Sequence, residues 1–147
     1  MVAVLYMLTG CANPGSGPDG GPYDETPPRI VAMTPELGRT GVNSHKVTIA
    51  FDELIKVENA QEKVIVSPPQ INMPEIKTAG KRISIELLDT LKPATTYTID
   101  FSDAIVDSNE SNPLGNFTYY FSTGNRVDTL EVAGYVLQAD NLEPVKG

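Results

Sequence analysis

Residues 91–101 read LKPATTYTIDF, and this stretch decides the fold of the chain. Its first half contains a proline and small residues that favour a turn, and from Thr96 onward polar and apolar residues alternate. A period of two places Tyr97, Ile99 and Phe101 on one face of a β-strand, because successive side chains of a strand point to opposite faces. We therefore expect a turn that leads directly into a strand with one buried face.

Six further short runs of β-forming residues lie between turn residues, at 29–34, 46–51, 63–67, 75–78, 82–87 and 117–123. Ala79-Gly80-Lys81 joins two of these runs in a predicted hairpin. No stretch keeps the period of about 3.6 residues that marks a helix. Seven strands in about a hundred residues predict an all-β fold, a seven-stranded immunoglobulin-like or fibronectin-like β-sandwich.

The turn before Tyr97 resembles the corner that precedes the sixth strand in fibronectin-type and immunoglobulin-like sandwiches. The resemblance implies that Leu91, Pro93 and Tyr97 are structural residues. In such corners the tyrosine ring packs into the core, its hydroxyl bonds to the backbone a few residues upstream, and the proline stiffens the turn. A catalytic role for Tyr97 is disfavoured, since a buried hydroxyl with a backbone partner has no reason to ionise.

Residues 27–124 as a whole resemble the SbsA-type bacterial immunoglobulin-like domain of surface-layer and outer-surface proteins. The similarity is carried by the proline-rich entry at 26–28, the turn at 35–42, the acidic strand end at 51–53, the corner at 91–101 and the final strand at 121–124. The segment from Asp107 to Leu114 resembles the family pattern Asp-x-x-Gly-Asn-x-Leu, but it lacks the glycine. We therefore expect residues 27–124 to form one domain.

The N-terminal residues resemble the lipobox of bacterial lipoproteins. Residues 8–11 read LTGC, after an apolar run that is too short to cross a bilayer as a helix. The resemblance implies that residues 1–10 are a signal remnant, that acylated Cys11 attaches the chain to a membrane, and that residues 11–26 are a flexible linker. No Lys or Arg precedes the apolar run, and the alternative is a short first strand with an incidental Cys11.

Acidic residues are expected at one end of the sandwich. Asp52 and Glu53 follow the second strand, and Asp103, Asp107 and Glu110 follow the sixth. These strand ends emerge on the same side in this topology, and we interpret the acids mainly as a solvated, charged loop region. Asp52, Asp103 and Asp107 are weak calcium candidates, because the loop after Asp107 lacks the glycine and the last glutamate of a calcium-binding loop.

Composition excludes several classes of function. The chain of 147 residues has 11 Lys and Arg against 19 Asp and Glu, a formal charge of −8, whereas nucleic-acid binding requires a surplus of basic residues. One Cys and one His exclude a multi-thiolate zinc site and a site of several imidazoles. His45 is expected in an exposed turn without the orienting partner of a general base. We expect no catalytic residue and no cofactor.

The C-terminal residues 130–147 resemble the opening of a carboxypeptidase-regulatory-like domain. A Val-x-Gly-x-Val pattern at 132–136 is followed by Pro-Val-x-Gly at 144–147. We expect residues 125–147 to be a linker and the first strand of a second β domain that continues after Gly147.

These features predict a non-catalytic, lipid-anchored module of the bacterial cell envelope, in an outer-membrane lipoprotein that faces the periplasm or the medium. The sandwich would act as a spacer, an adhesion element or a docking domain for a protein or glycan partner. The alternative is an accessory region of a larger envelope enzyme or transport component whose active part lies elsewhere. A groove with perturbed carboxylates favours that alternative, whereas an exposed sheet edge or apolar patch favours a partner.

Overall fold

The computed structural model describes residues 24–128. In this part of the chain the elements are β1 (Ile30–Thr34), β2 (Lys46–Phe51), β3 (Ile55–Val57), α1 (Ala60–Lys63), β4 (Ile65–Ser67), β5 (Glu75–Ala79), β6 (Arg82–Glu86), β7 (Thr96–Asp100), β8 (Ile105–Asp107) and β9 (Thr118–Ser122). The signal remnant, Cys11, most of the linker and residues 129–147 lie outside the described residues.

The strands form antiparallel sheets that pack as an immunoglobulin-like sandwich. One sheet has the order β1-β2-β6-β5, the second has the order β4-β7-β9, and β3 pairs with β8 in a short third sheet. The predicted all-β sandwich is confirmed. All seven predicted strands are present, and β3 and β8 are added to them.

The register of the central strands places apolar residues opposite each other on the inner faces. In one sheet Val47 pairs with Ile85 and Ile49 with Ile83; in the other, Tyr97 pairs with Phe121 and Ile99 with Tyr119. All eight side chains are buried and belong to one core cluster. A slip of one residue would turn each of these strands' apolar side chains to solvent, so the pattern fixes the register.

The predicted hairpin is formed by β5 and β6, with Ala79 opposite Arg82 across a two-residue turn. Gly80 occupies the first turn position with a φ of 59°, which suits the twist of a hairpin and favours glycine. Ile83, Ile85 and Leu87 are buried, as the alternation predicts.

Two differences from the sequence interpretation have simple causes. The strand expected from Lys63 begins at Ile65, because the four residues of α1 form one helical turn that includes Lys63. The strands β3 and β8 have three residues each, and all three residues of β8 are buried. The alternation of a half-buried strand needs about four to eight residues to be visible, so neither strand carries that signal.

Within residues 24–128, no helix has the length and apolar character needed to cross a membrane.

Candidate functional site

The acidic residues after β2 and β8 meet at one end of the sandwich, which we call the acidic end (Asp24, Asp52, Glu53, Asp107 and Glu110). Partial burial raises the pKa of the half-buried Glu53 above its ordinary value, and the negative charges of the other four residues raise it further. Ile55 pairs with Asp107, and the Ser108 N–H donates to the Leu54 oxygen at 2.9 Å, so the acids that flank these residues lie at the same end of the sandwich. Asp24, which enters from the N-terminal segment, joins them.

Asp103 is directed elsewhere. Its carboxylate lies 2.8 Å from the Lys63 ammonium of α1, and the hydrogen bond from Lys63 is the main reason why the pKa of Asp103 lies below its ordinary value. Its charge is not among those that raise the pKa of Glu53. An exposed pair of this kind contributes little to stability.

Asp107 is the most unusual residue of the acidic end, because its side chain is only 1% exposed. Oδ1 accepts backbone N–H bonds from Asn109, Glu110 and Ser111 at 2.8, 2.7 and 3.1 Å, and Oδ2 accepts one from Asn112 at 2.7 Å. The following loop is thus wrapped around one carboxylate. The interpretation of this region as a solvated loop is wrong for Asp107.

The pKa of Asp107 is the result of two opposing effects. Burial opposes ionisation, while the four backbone N–H groups stabilise the charged form. The hydrogen bonds prevail, and the pKa lies below its ordinary value.

The loop around Asp107 also requires an unusual backbone conformation. Ser111 has a φ of 68°, a left-handed conformation that glycine adopts more readily than serine. Ser111 directly precedes Asn112, as the glycine of the family pattern precedes its asparagine, although this chain has one more residue between Asp107 and Asn112 than the pattern. Asn112 then donates through Nδ2 to the backbone oxygen of Asp24 at 2.7 Å, which ties the N-terminal segment to the acidic end.

The three weak calcium candidates are not assembled as one cation site. The Asp52 carboxylate accepts the backbone N–H of Arg29 at 2.8 Å. Asp103 pairs with Lys63, and Asp107 is surrounded by backbone N–H groups. In the described segment 24–128, no group of three or more His, Cys, Asp or Glu residues is placed to hold a metal ion.

The corner before β7 has the geometry that the resemblance implies. The Tyr97 hydroxyl accepts the N–H of Lys92, five residues upstream, at 2.8 Å. The Tyr97 ring is 2% exposed and stacks on Phe121, with centroids 5.3 Å apart. Leu91 packs against the core cluster from its edge.

Pro93 is exposed, and its backbone oxygen accepts a hydrogen bond from the Thr95 hydroxyl at 2.9 Å. Thr123 closes the corner from the other side: its hydroxyl donates to the Lys92 oxygen at 2.6 Å and accepts the Thr95 N–H at 2.9 Å. The corner is therefore joined to both β7 and the end of β9.

A second buried hydroxyl escaped the sequence analysis. Tyr119 has no exposed surface, and its hydroxyl donates to the backbone oxygen of Pro35 at 2.9 Å. Burial raises the pKa of Tyr119 to about 12, so the group stays protonated near neutral pH. Its inward position follows from alternation in β9, but nothing in the sequence indicates Pro35 as its partner.

His45 is exposed and precedes β2. Its Nδ1 lies 3.2 Å from the Leu87 oxygen, and its own backbone oxygen accepts the Leu87 N–H at 2.9 Å. These contacts connect the ends of β2 and β6.

The sheet order, the inner-face register and the corner define an immunoglobulin-like β-sandwich domain. The bacterial Ig-like domain family matches residues 24–123. This chain belongs to that family.

No curated protein matches the chain. Among solved structures, an L,D-transpeptidase from Mycobacterium smegmatis is 14% identical, with a TM-score of 0.42 over 67% of this chain and 41% of the other. PcoC, a methionine-rich copper resistance protein from Escherichia coli, is 17% identical, with a TM-score of 0.45 over 65% of this chain and 96% of PcoC. The N-terminal part of the bacterial S-layer protein SbsC is 15% identical, with a TM-score of 0.42 over 66% and 23%. This chain thus spans less than half of the transpeptidase.

Proposed function

We propose that this chain is a non-catalytic, lipid-anchored module of the bacterial cell envelope, in which the Ig-like sandwich acts as a spacer or as a docking domain for a partner. The observation that carries the proposal is that three buried polar side chains all hold the backbone of this domain in place. The buried side chains of Asp107, Tyr97 and Tyr119 all bond to the backbone of this domain. These groups hold connections in place and are already occupied.

The packing of the domain supports the same proposal. Its core is filled from both sheets by large side chains with almost no exposed surface: Ile49, Ile83 and Ile85 from one sheet, and Tyr97, Tyr119 and Phe121 from the other. A closely packed domain of this kind is rigid and would separate what is attached at its two ends. Membership of the bacterial Ig-like family agrees with this role, although the family alone does not assign it.

The anchor is proposed from the sequence. The lipobox-like residues 8–11 place Cys11 before a segment rich in glycine and proline, which would separate the sandwich from the lipid. Two lipid signals already give stable membrane attachment, and the resemblance implies three acyl chains on Cys11. We propose an outer-membrane location, with the sandwich in the periplasm or outside the cell.

The residues after the sandwich are proposed to begin a second β domain of the carboxypeptidase-regulatory-like kind, on the pattern at residues 132–147. The Ig-like domain would then stand between a lipid and a further domain. This arrangement is what a spacer requires.

Replacement of the proposed acylation site tests the anchor. Expressed from its native gene, the unaltered protein should remain with membranes after a carbonate wash and take up labelled palmitate. Cys11→Ser should move to the soluble fraction and remain unlabelled. Ser16→Ala, a change in the neighbouring linker, is the matched control and should behave as the unaltered protein. Retention of Cys11→Ser on carbonate-washed membranes would show that the chain is not anchored through Cys11.

A further inference from the structure

A groove of about 340 Å³ lies on the outer face of the sheet formed by β4, β7 and β9. Thr96 and Thr98 of β7 face the groove. They alternate along the strand with Tyr97 and Ile99, whose side chains point into the core. Tyr120 faces it from β9, where it pairs with Thr98. The groove is thus lined by the aromatic ring of Tyr120 and by the side chains of Thr96 and Thr98.

The ring of Tyr120 lies against Gly38 on one side. Gly38 donates its N–H to the backbone oxygen of Tyr120 at 2.8 Å, and a Cβ atom at Gly38 would lie 3.2 Å from the Tyr120 ring. The ring therefore rests on the backbone of Gly38, which has a φ of 73°. Tyr120 nevertheless remains 37% exposed, so that part of its apolar surface has no partner in the described residues.

The chain itself runs into this groove. Val127 and Asp128 form one of its walls, and the Asp128 N–H donates to the Thr96 hydroxyl oxygen at 2.9 Å. Leu130 is the second residue after Asp128, and two residues span at most about 7 Å. The next apolar side chains of the sequence are consequently within reach of the Tyr120 ring.

We infer that residues 130–133 of this same chain occupy the groove, with Leu130 and Val132 packed against Tyr120 and the methyl groups of Thr96 and Thr98. In an extended chain Leu130 and Val132 lie on the same side, because they are two residues apart. A single strand cannot bury its apolar side chains alone, and this groove offers the nearest surface on which to do so.

A tethered segment is favoured over a second copy of the protein as the occupant. A segment joined by a linker of one residue has an effective concentration of at least the millimolar order, which a free copy does not reach at ordinary protein concentrations. The consequence is mechanical: the start of the following unit is fixed on the sandwich, so the domain positions that unit instead of holding it on a free hinge. The inference goes beyond the proposed lipid anchor and does not depend on Cys11.

Hydrogen exchange and NMR on the full chain test the inference. Amides of residues 130–133 should exchange at least about tenfold more slowly than in an unstructured peptide, and Leu130 and Val132 methyl groups should show contacts with the Tyr120 ring. Tyr120→Ala should abolish this protection. Thr98→Lys, which puts a long charged side chain at the groove, should do the same independently. Both variants should leave the amides of β2 protected.

The double variant Leu130→Ser/Val132→Ser should lose the contacts, whereas Leu142→Ser, a matched change further along the chain, should keep them. Unprotected amides at 130–133 in the unaltered chain would overturn the inference. Methyl-to-ring contacts that arise only between differently labelled copies would overturn it too, because they would assign the groove to a dimer. Neither result would bear on membrane attachment at Cys11.

Discussion

The corner before β7 and the loop after β8 are both held in place by one buried side chain, but the two side chains differ in chemistry. In each, one buried side chain at the start or the end of a strand binds the backbone of the adjoining connection. Tyr97 does so with an uncharged hydroxyl that accepts one N–H bond, from Lys92. Asp107 does so with a carboxylate that accepts four, from residues 109–112.

The difference decides what each connection depends on. The Tyr97 corner rests mainly on the packing of a large ring, since the ring stacks on Phe121 and lies in the core cluster. The Asp107 loop rests on charge-assisted hydrogen bonds, which are stronger than neutral ones but require the carboxylate to be ionised. The first connection should therefore be sensitive to side-chain volume, and the second to pH.

The largest effect is expected when the Tyr97 ring is removed. Tyr97→Ala should lower the free energy of unfolding by about 3 to 5 kcal/mol, because it leaves a large cavity between the sheets. Urea denaturation measures the loss. Ile71→Ala is the control: Ile71 is 94% exposed, and its truncation should cost less than about 0.5 kcal/mol. Similar losses for the two variants would contradict the packing role of Tyr97.

A smaller loss is expected for Asp107→Asn. The amide oxygen can replace Oδ1, but the amide NH₂ must then face the Asn112 N–H, so one bond is lost and two donors oppose each other. The thermal midpoint at pH 7 should fall, by less than in Tyr97→Ala. Glu110→Gln, which removes a charge from the same loop, should change it much less. An unaltered midpoint for Asp107→Asn would show that the negative charge and the bond from Asn112 contribute nothing.

The pH dependence of this difference gives a sharper test. The pKa of Asp107 is lower in the folded state than its unfolded value of 3.8. Its ionisation therefore adds stability that is complete above that value and is lost as the pH falls through the folded pKa. The unaltered protein and Asp107→Asn should accordingly converge in stability below pH 3.8, as followed by urea denaturation at a series of pH values. A difference in the free energy of unfolding that stays constant down to the most acid pH would show that the ionised Asp107 carboxylate does not stabilise the loop.

Tyr97→Phe separates the hydroxyl from the ring. The change keeps the stacking on Phe121 and removes only the bond with Lys92, so it should cost about 1 kcal/mol. Because the hydroxyl is uncharged, this cost should be the same at acid and neutral pH, in contrast to that of Asp107→Asn. Urea denaturation at both pH values measures it, and a pH-dependent loss would remove the distinction between the two connections.

The same comparison shows what the sequence could predict. Tyr97 was found because a proline, a turn and a period-two strand follow one another within residues 91–101. The sandwich followed from similar alternation in six other runs. These are local signals, set by the geometry of a strand, and they survive in a single sequence.

Asp107 could not be interpreted in the same way. Among five neighbouring acids, nothing in the sequence distinguishes a carboxylate that turns inward from one that faces water. Asp107 lies in β8, which pairs with β3, and Ile55 of β3 lies opposite Asp107. The two strands are about 50 residues apart in the sequence, so no local pattern indicates that they pair. The sequence showed only that the glycine of the family pattern is missing between Asp107 and Asn112, which does not indicate a buried carboxylate.

Replacement of Glu53 should give the smallest change in stability, and this change should be a gain where replacement of Asp107 gives a loss. Unlike Asp107, it has a raised pKa, so its charged form is disfavoured in the folded state by partial burial and by the neighbouring acids. Its contribution is favourable below the unfolded value of 4.5 and is lost as the pH rises through the folded pKa. Glu53→Gln should therefore stabilise the protein at pH 7, by no more than about 0.5 kcal/mol after solvent screening. The part of the gain that comes from like charges should shrink in high salt.

Glu62→Gln, which replaces an acid of α1, is the matched control and should show no such gain. Thermal unfolding at low and high salt measures both variants, and a loss of stability in Glu53→Gln at pH 7 would mean that the acidic end holds Glu53 by attraction rather than repelling it.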